Sequence, residues 1–174
     1  KKPVFLLGAS AGGVKLFEEI VERIPSDFPA TLVLIIHRNT SHEGRAYQLE
    51  SILRRKSKLE VKVPEEGEDI SGGVIYIPKD NKHLIIEGEK FKHSEGPAGL
   101  WRPGIDVLFE SAANDLRERT VSVLCTGGLE DGVEGLRQTT KCGGITIAQS
   151  PDDAFSPILP LNALLNDHPV YVAP

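Results

Sequence analysis

A chain of 174 residues, 40% of them hydrophobic, has the size of one domain and enough apolar surface for one substantial core. Its formal net charge of −5 excludes a basic footprint for nucleic acid or anionic lipid. No apolar run approaches a membrane span, no signal peptide precedes the first strand, and the two cysteines, Cys125 and Cys142, fall in no CxxC or metal-ligand spacing. Both cysteines are expected as buried, reduced thiols, and the protein as cytoplasmic. The lack of any methionine and the Lys1-Lys2 start point to a piece of a longer chain.

In chain order, Val4-Phe5-Leu6-Leu7 is a first strand, and Leu16, Phe17, Ile20, Val21 and Ile24 fall on one helical stripe that Pro25 stops. Thr31 to Ile36 is a second, continuously apolar strand. A polar entry at Ser41-His42-Glu43-Gly44 then leads into a helix carrying Tyr47, Leu49, Ile52 and Leu53. Leu59 to Val63 alternates in period two. Gly72 to Pro78 and His83 to Gly88 are short strands separated by turn residues, which predicts a β-hairpin or small antiparallel addition. The strand–helix pattern resumes with a helix over 105–116, a strand over 120–124, a helix from about Gly132 to Thr140 and a strand over 145–148. Helical Leu159 to Leu165 and a closing strand at Val170-Tyr171-Val172 end the chain. The whole predicts an α/β fold: a doubly wound, mostly parallel sheet with helices on both faces and a small antiparallel hairpin, in one domain over 1–174.

Three chemically capable residues stand where apolar strands stop. Ser10 lies in Gly8-Ala9-Ser10-Ala11-Gly12-Gly13, which contains G-x-S-x-G at a strand-to-helix turn, the form of a nucleophile elbow. The same glycine-rich turn also fits simple helix–strand packing or a phosphate loop, although GxGxxG and Gly-Lys-Ser/Thr are absent. His37 ends the second strand, where an imidazole suits the general base of a serine and where a surface histidine is the plainer alternative. Asp131 follows the strand over 120–124, as the carboxylate that orients an imidazole or as the N-cap of the helix after it; Glu130 is the second choice. His42, His83 and His93 sit in polar loop contexts and are expected in solvent. Residues at the carboxyl ends of parallel strands can converge in one crevice, and Ser, His and Asp together there suggest acyl transfer.

These residues, with Arg102-Pro103-Gly104-Ile105-Asp106-Val107-Leu108-Phe109 and Thr126-Gly127-x-x-x-Asp131-Gly132, resemble the CheB-type protein-glutamate methylesterase catalytic domain over nearly the whole chain. The resemblance implies Ser10 as nucleophile, His37 as base and Asp131 as its orienter. It also implies backbone N–H groups at Ala11, Gly12 and Gly128 around an oxyanion, and hydrolysis of glutamyl γ-methyl esters with deamidation of some glutamines. Its partners would be methylated cytoplasmic helices of chemoreceptors or related sensory proteins, with no metal or organic cofactor. Receiver or methyltransferase modules are candidates for the remainder of a parent chain, and no receiver domain lies within 1–174. Trp101 and Arg102 are candidate substrate contacts, the guanidinium suiting acidic residues that flank the modified glutamate.

The sequence departs from the best-known form of the family at Ala11, Gly104, Gly128-Leu129 and Ser156 to Pro160, around the mouth of the expected site. A different ester or amide substrate, a Ser10–Asp131–His168 arrangement, or a non-catalytic binding module in a sensory pathway are the alternatives.

Overall fold

The computed structural model describes residues 1–37, 45–96, 102–167 and 169–174, with the side chains of 45 and 46 outside that set. Trp101, His42 and His168 therefore lie outside the described residues. Seven strands form one parallel sheet: β1 (Val4–Ala9), β2 (Thr31–Ile36), β3 (Glu60–Lys62), β4 (Val74–Tyr76), β7 (Thr120–Leu124), β8 (Ile145–Gln149) and β9 (Tyr171–Ala173). Their spatial order is β3-β4-β2-β1-β7-β8-β9, so β1 is central and the chain reverses direction of growth at it. Two strands, β5 (His83–Glu87) and β6 (Lys90–Ser94), form a separate antiparallel hairpin.

The central strands read as unbroken apolar runs because both of their faces are covered. Along β2, Leu32, Leu34 and Ile36 point to one face and Val33 and Ile35 to the other. The first face is covered by α1 (Gly13–Arg23), through Phe17 and Val21, and by α2 (Arg45–Lys56), through Leu49 and Leu53. The second face is covered by α3 (Ile105–Leu116), α4 (Val133–Lys141), α5 (Ile158–Asn166) and the hairpin, through Leu108, Phe109, Leu136, Leu159, Leu84 and Phe91. Helices on both faces of a sheet that grows outward from a central strand are the doubly wound arrangement expected from the alternating pattern.

The hairpin differs in its pairing from the expectation. The segment over 72–78 does not pair with the one over 83–88; β4 inserts in parallel between β2 and β3, with Ile75 and Tyr76 buried on opposite faces. The true partner of β5 is β6, whose Lys90, Lys92 and His93 leave Phe91 as its only buried apolar residue. One large aromatic, 4.4 Å from the Tyr76 ring, anchors a strand with little hydrophobic pattern of its own. Ser111 on α3 accepts the Ile86 N–H, and Asp115 accepts the N–H groups of Gly88 and Glu89, which ties the hairpin to that helix.

His83 is a second correction. It is 1% exposed and its Nδ1 accepts the Gly104 N–H at 3.1 Å, because β5 turns it inward beneath the entry to α3. His93 is half-buried, with its Nε2–H donated to the Pro64 carbonyl at 2.9 Å. Cys125 and Cys142 are buried and unpaired as expected. Burial pushes the Cys125 thiol up to about 12, so it stays protonated and unreactive. Among the described residues no helix is long and apolar enough to cross a membrane, and no three His, Cys, Asp or Glu side chains gather as a metal site.

Candidate active site

The parallel register of β1 and β2 ends with Ala9 opposite Ile36, and Ser10 and His37 are the next residues of the two chains. The ladder runs one bond further, with the His37 N–H donated to the Ala9 carbonyl at 2.8 Å. Neighbouring strands lie about 4.8 Å apart, so the two residues leave the sheet on adjacent strands. On the other flank of β1, the Ser10 N–H is donated to the Thr126 carbonyl at 2.9 Å, just past the end of β7. Three adjacent strands thus deliver His37, Ser10 and the loop carrying Asp131 to one edge of the sheet.

Ser10 sits on a tight turn. Gly13 N–H closes onto the Ser10 carbonyl at 2.9 Å, and Gly12, at φ +83°, takes the left-handed conformation that lets α1 begin at Gly13. A side chain at Gly12 would also strike Phe155, whose Cβ stands 2.8 Å from the position a Cβ would take. From the opposite side Gly127 approaches so closely that a Cβ there would stand 3.0 Å from Ser10 Cβ. The Thr126 hydroxyl donates to the Ala11 carbonyl at 2.8 Å and accepts the Ser156 N–H at 2.8 Å, which binds the Ser10 turn to the 155–157 loop. Among the described residues, no acceptor meets the N–H groups of Ala11, Gly12 or Gly128, while the Gly127 N–H is taken by the Ser156 carbonyl.

His37 Nδ1 lies 2.5 Å from Asp131 Oδ2, with 7% and 19% of the two side chains exposed. Against an ionised carboxylate Nδ1 carries the proton, so Nε2 is the nitrogen of a neutral ring able to accept another. Burial alone would raise the Asp131 pKa. The hydrogen bonds from His37 and from the Asp106 and Ile105 N–H groups outweigh it and hold the carboxyl below its ordinary range.

Asp131 is not the N-cap of its own helix. Gly132 holds that position in α4, and the Asp131 carboxylate instead accepts the Ile105 and Asp106 N–H groups at 2.8 and 2.9 Å, at the start of α3. The helix-end positive charge stabilises the anion there. Glu130, the second choice, is exposed, and the bond to His37 falls to Asp131.

Of the remaining expected contacts, Arg102 is half-buried just before α3, and its positive charge, after burial itself, lowers the His83 pKa. Gly128 is exposed beside Ser156. Phe155, Ile158 and Leu129 are 82%, 51% and 49% exposed, and Phe155 lies against Gly12 in the turn that carries Ser10.

The CheB methylesterase family model matches residues 5–174. The chain belongs to the CheB methylesterase family. A relative from Leptospira interrogans is 32% identical over 161 residues, covering 91% of this chain and 82% of its own. The Pseudomonas aeruginosa protein named protein-glutamate methylesterase/protein-glutamine glutaminase 3 is 37% identical over 145 residues, which cover 82% of this chain and 42% of that protein. The chain thus spans less than half the length of that relative. The crystal structure of the Thermotoga maritima CheB methylesterase catalytic domain superposes with a TM-score of 0.92 at 27% identity, over 100% of this chain and 93% of that one. The seven-stranded parallel sheet with its added hairpin is accordingly the CheB catalytic-domain fold.

Three residues around this candidate site have contacts that the sequence did not announce: Thr126, Asp106 and His83. Asp106 lies within the Arg102–Phe109 motif, but an aspartate in the first turn of a helix is ordinary and carries no signal of a distant partner. Thr126 looks like a strand-end residue until the 155–157 loop folds over it.

Proposed function

We propose that this chain is a serine hydrolase that removes methyl groups from glutamyl γ-methyl esters on chemoreceptors or related signalling proteins. The observation that carries the reading is the 2.5 Å contact of Asp131 with His37, which follows β2 as Ser10 follows the adjacent β1. His37 Nε2 takes the Ser10 proton as Oγ attacks the ester carbonyl, and Asp131 stabilises the imidazolium that forms. Backbone N–H groups at Ala11, Gly12 and Gly128 hold the oxyanion. The proton passes from His37 to the departing methoxy oxygen and methanol leaves. Water then attacks the acyl-enzyme with His37 again as base, releasing the glutamate. A glutamine side chain entering the same site would release ammonia and give the same glutamate. The cycle calls on no metal or organic cofactor.

The exposed apolar side chains of Phe155, Ile158 and Leu129 suit the hydrophobic side of a helix, and Arg102, with Trp101, suits acidic residues flanking the target. Such partners place the reaction in the cytoplasm. A serine-reactive fluorophosphonate with peptide mapping tests the chemistry. The adduct is expected on Ser10, absent from Ser10→Ala and slowed in His37→Gln; a label on another residue, or one that survives Ser10→Ala, contradicts the reading.

A further inference from the structure

Asp131 and Asp106 exchange helix caps. Asp131, in the loop before α4, accepts the N–H groups of Ile105 and Asp106 at the start of α3. Asp106, in the first turn of α3, accepts the Gly132 and Gly135 N–H groups at 2.9 and 2.7 Å at the start of α4. Each carboxyl thus fixes the helix that carries the other, and both bonds to Asp106 land on Oδ1, which leaves Oδ2 able to carry a proton.

We infer that Asp106 is a positioning residue for the reaction, which holds Asp131 against His37 through this exchange and sets, by its own protonation, how much negative charge the imidazole faces. The inference rests on the proposed roles of Ser10, His37 and Asp131. Four backbone bonds anchor the pair, so displacing either carboxyl shifts both helix starts and, with them, the oxygen on His37 Nδ1. Two carboxylates this close cannot both ionise cheaply. Asp131 has the imidazole as a hydrogen-bond donor and stays ionised. Asp106 has none. Burial first, and the Asp131 charge, push it up to about 7 against the pull of the Gly135 and Gly132 N–H groups. With Asp106 protonated His37 faces one negative charge, and with it ionised two.

The other charges near Asp106 are Glu110 one turn along α3, Glu130 before α4, and Glu134 and Arg137 on α4, which line or flank a groove of about 280 Å³ beside it. Arg137 is engaged by Glu134 and the Asn166 carbonyl, which leaves the Asp106 carboxyl without a cationic partner among the described residues.

Asp106→Asn tests the inference, because the amide oxygen can accept both α4 N–H groups while the side chain stays neutral at every pH. The His37 ring is titrated by NMR in the wild type, Asp106→Asn and Asp106→Ala, alongside fluorophosphonate labelling of Ser10. Asp106→Asn should move the His37 titration down by about half a unit and sharpen it, as removal of one nearby negative charge requires. It should label like the wild type at pH 6. Asp106→Ala, which loses the α4 bonds, should label at least tenfold more slowly, with Asn restoring most of the rate. A His37 titration unchanged in Asp106→Asn, or equal labelling of the Ala and Asn variants and the wild type, overturns the inference. If the label falls on another residue and survives Ser10→Ala while the titration shifts as expected, the hydrolase reading fails and the charge coupling stands.

Discussion

His37 and Asp131 are separated by 94 positions in the chain, yet Nδ1 and Oδ2 stand 2.5 Å apart. The contact exists because β2 and β7 flank β1, so the loop after β7 folds back across the carboxyl end of the central strand. It fixes the ring's tautomer and half-buries an anion that the start of α3 stabilises. Asp131→Asn keeps an oxygen for an α3 N–H group but cannot hold the Nδ1 proton in the same way. Turnover should fall on the order of 10³–10⁴-fold with the fold retained, as circular dichroism and steady-state rates would show. Near-normal turnover would remove Asp131 from the mechanism.

Gly127→Ala should damage catalysis more than its chemistry suggests. The added methyl would stand 2.7 Å from Leu159 Cδ2 and 3.0 Å from Ser10 Cβ. Leu159 is buried in a packed core, so making room disturbs its packing or strains the Ser10 turn. Overpacking of this kind costs about 1–3 kcal/mol. Fluorophosphonate labelling should slow by at least tenfold, and chemical denaturation should register the loss of stability.

Thr126→Val removes the hydroxyl that joins Ala11 to Ser156. Two backbone groups lose their partner, at a cost of about 1–3 kcal/mol. Because the lost bonds hold the turn rather than react, turnover should drop while the pH profile keeps its shape. A shifted profile would show that Thr126 acts on His37 rather than on the loop.

Much of this arrangement was legible before folding. Strands β1, β2 and β7 announce themselves as apolar runs because both faces are buried, and the segments that follow them reach the same edge of the sheet. The hairpin was legible as a hairpin but not in its pairing, since a single phenylalanine among lysines gives β6 no period. Asp106 and His83 were invisible for another reason. Their partners are backbone N–H groups 21 to 29 residues away, and sequence pattern carries no record of which carboxyl or imidazole a distant helix start will meet.

His83 should leave a mark on stability. Burial first, and Arg102 second, lower its pKa below the ordinary 6.5, so it is neutral in the fold and takes up a proton on unfolding in acid. Its contribution is complete above that value and is lost as pH falls below it. In His83→Gln, which can still accept the Gly104 N–H, the part of the stability loss between pH 7 and pH 5 due to His83 should vanish. Denaturant titrations of the two proteins at both pH values measure the difference, in which other groups cancel. Parallel pH dependences would show that His83 is not held neutral.

Release of methanol from methylated chemoreceptor cytoplasmic fragments, compared between this chain and its Ser10→Ala variant, tests the central claim most directly. The account predicts release by the wild-type chain, equimolar with glutamate formed, and none above background from Ser10→Ala. No release from either protein, with the fold verified and Ser10 reactive to fluorophosphonate, would contradict methylesterase action on receptors and leave a hydrolase of some other ester or amide.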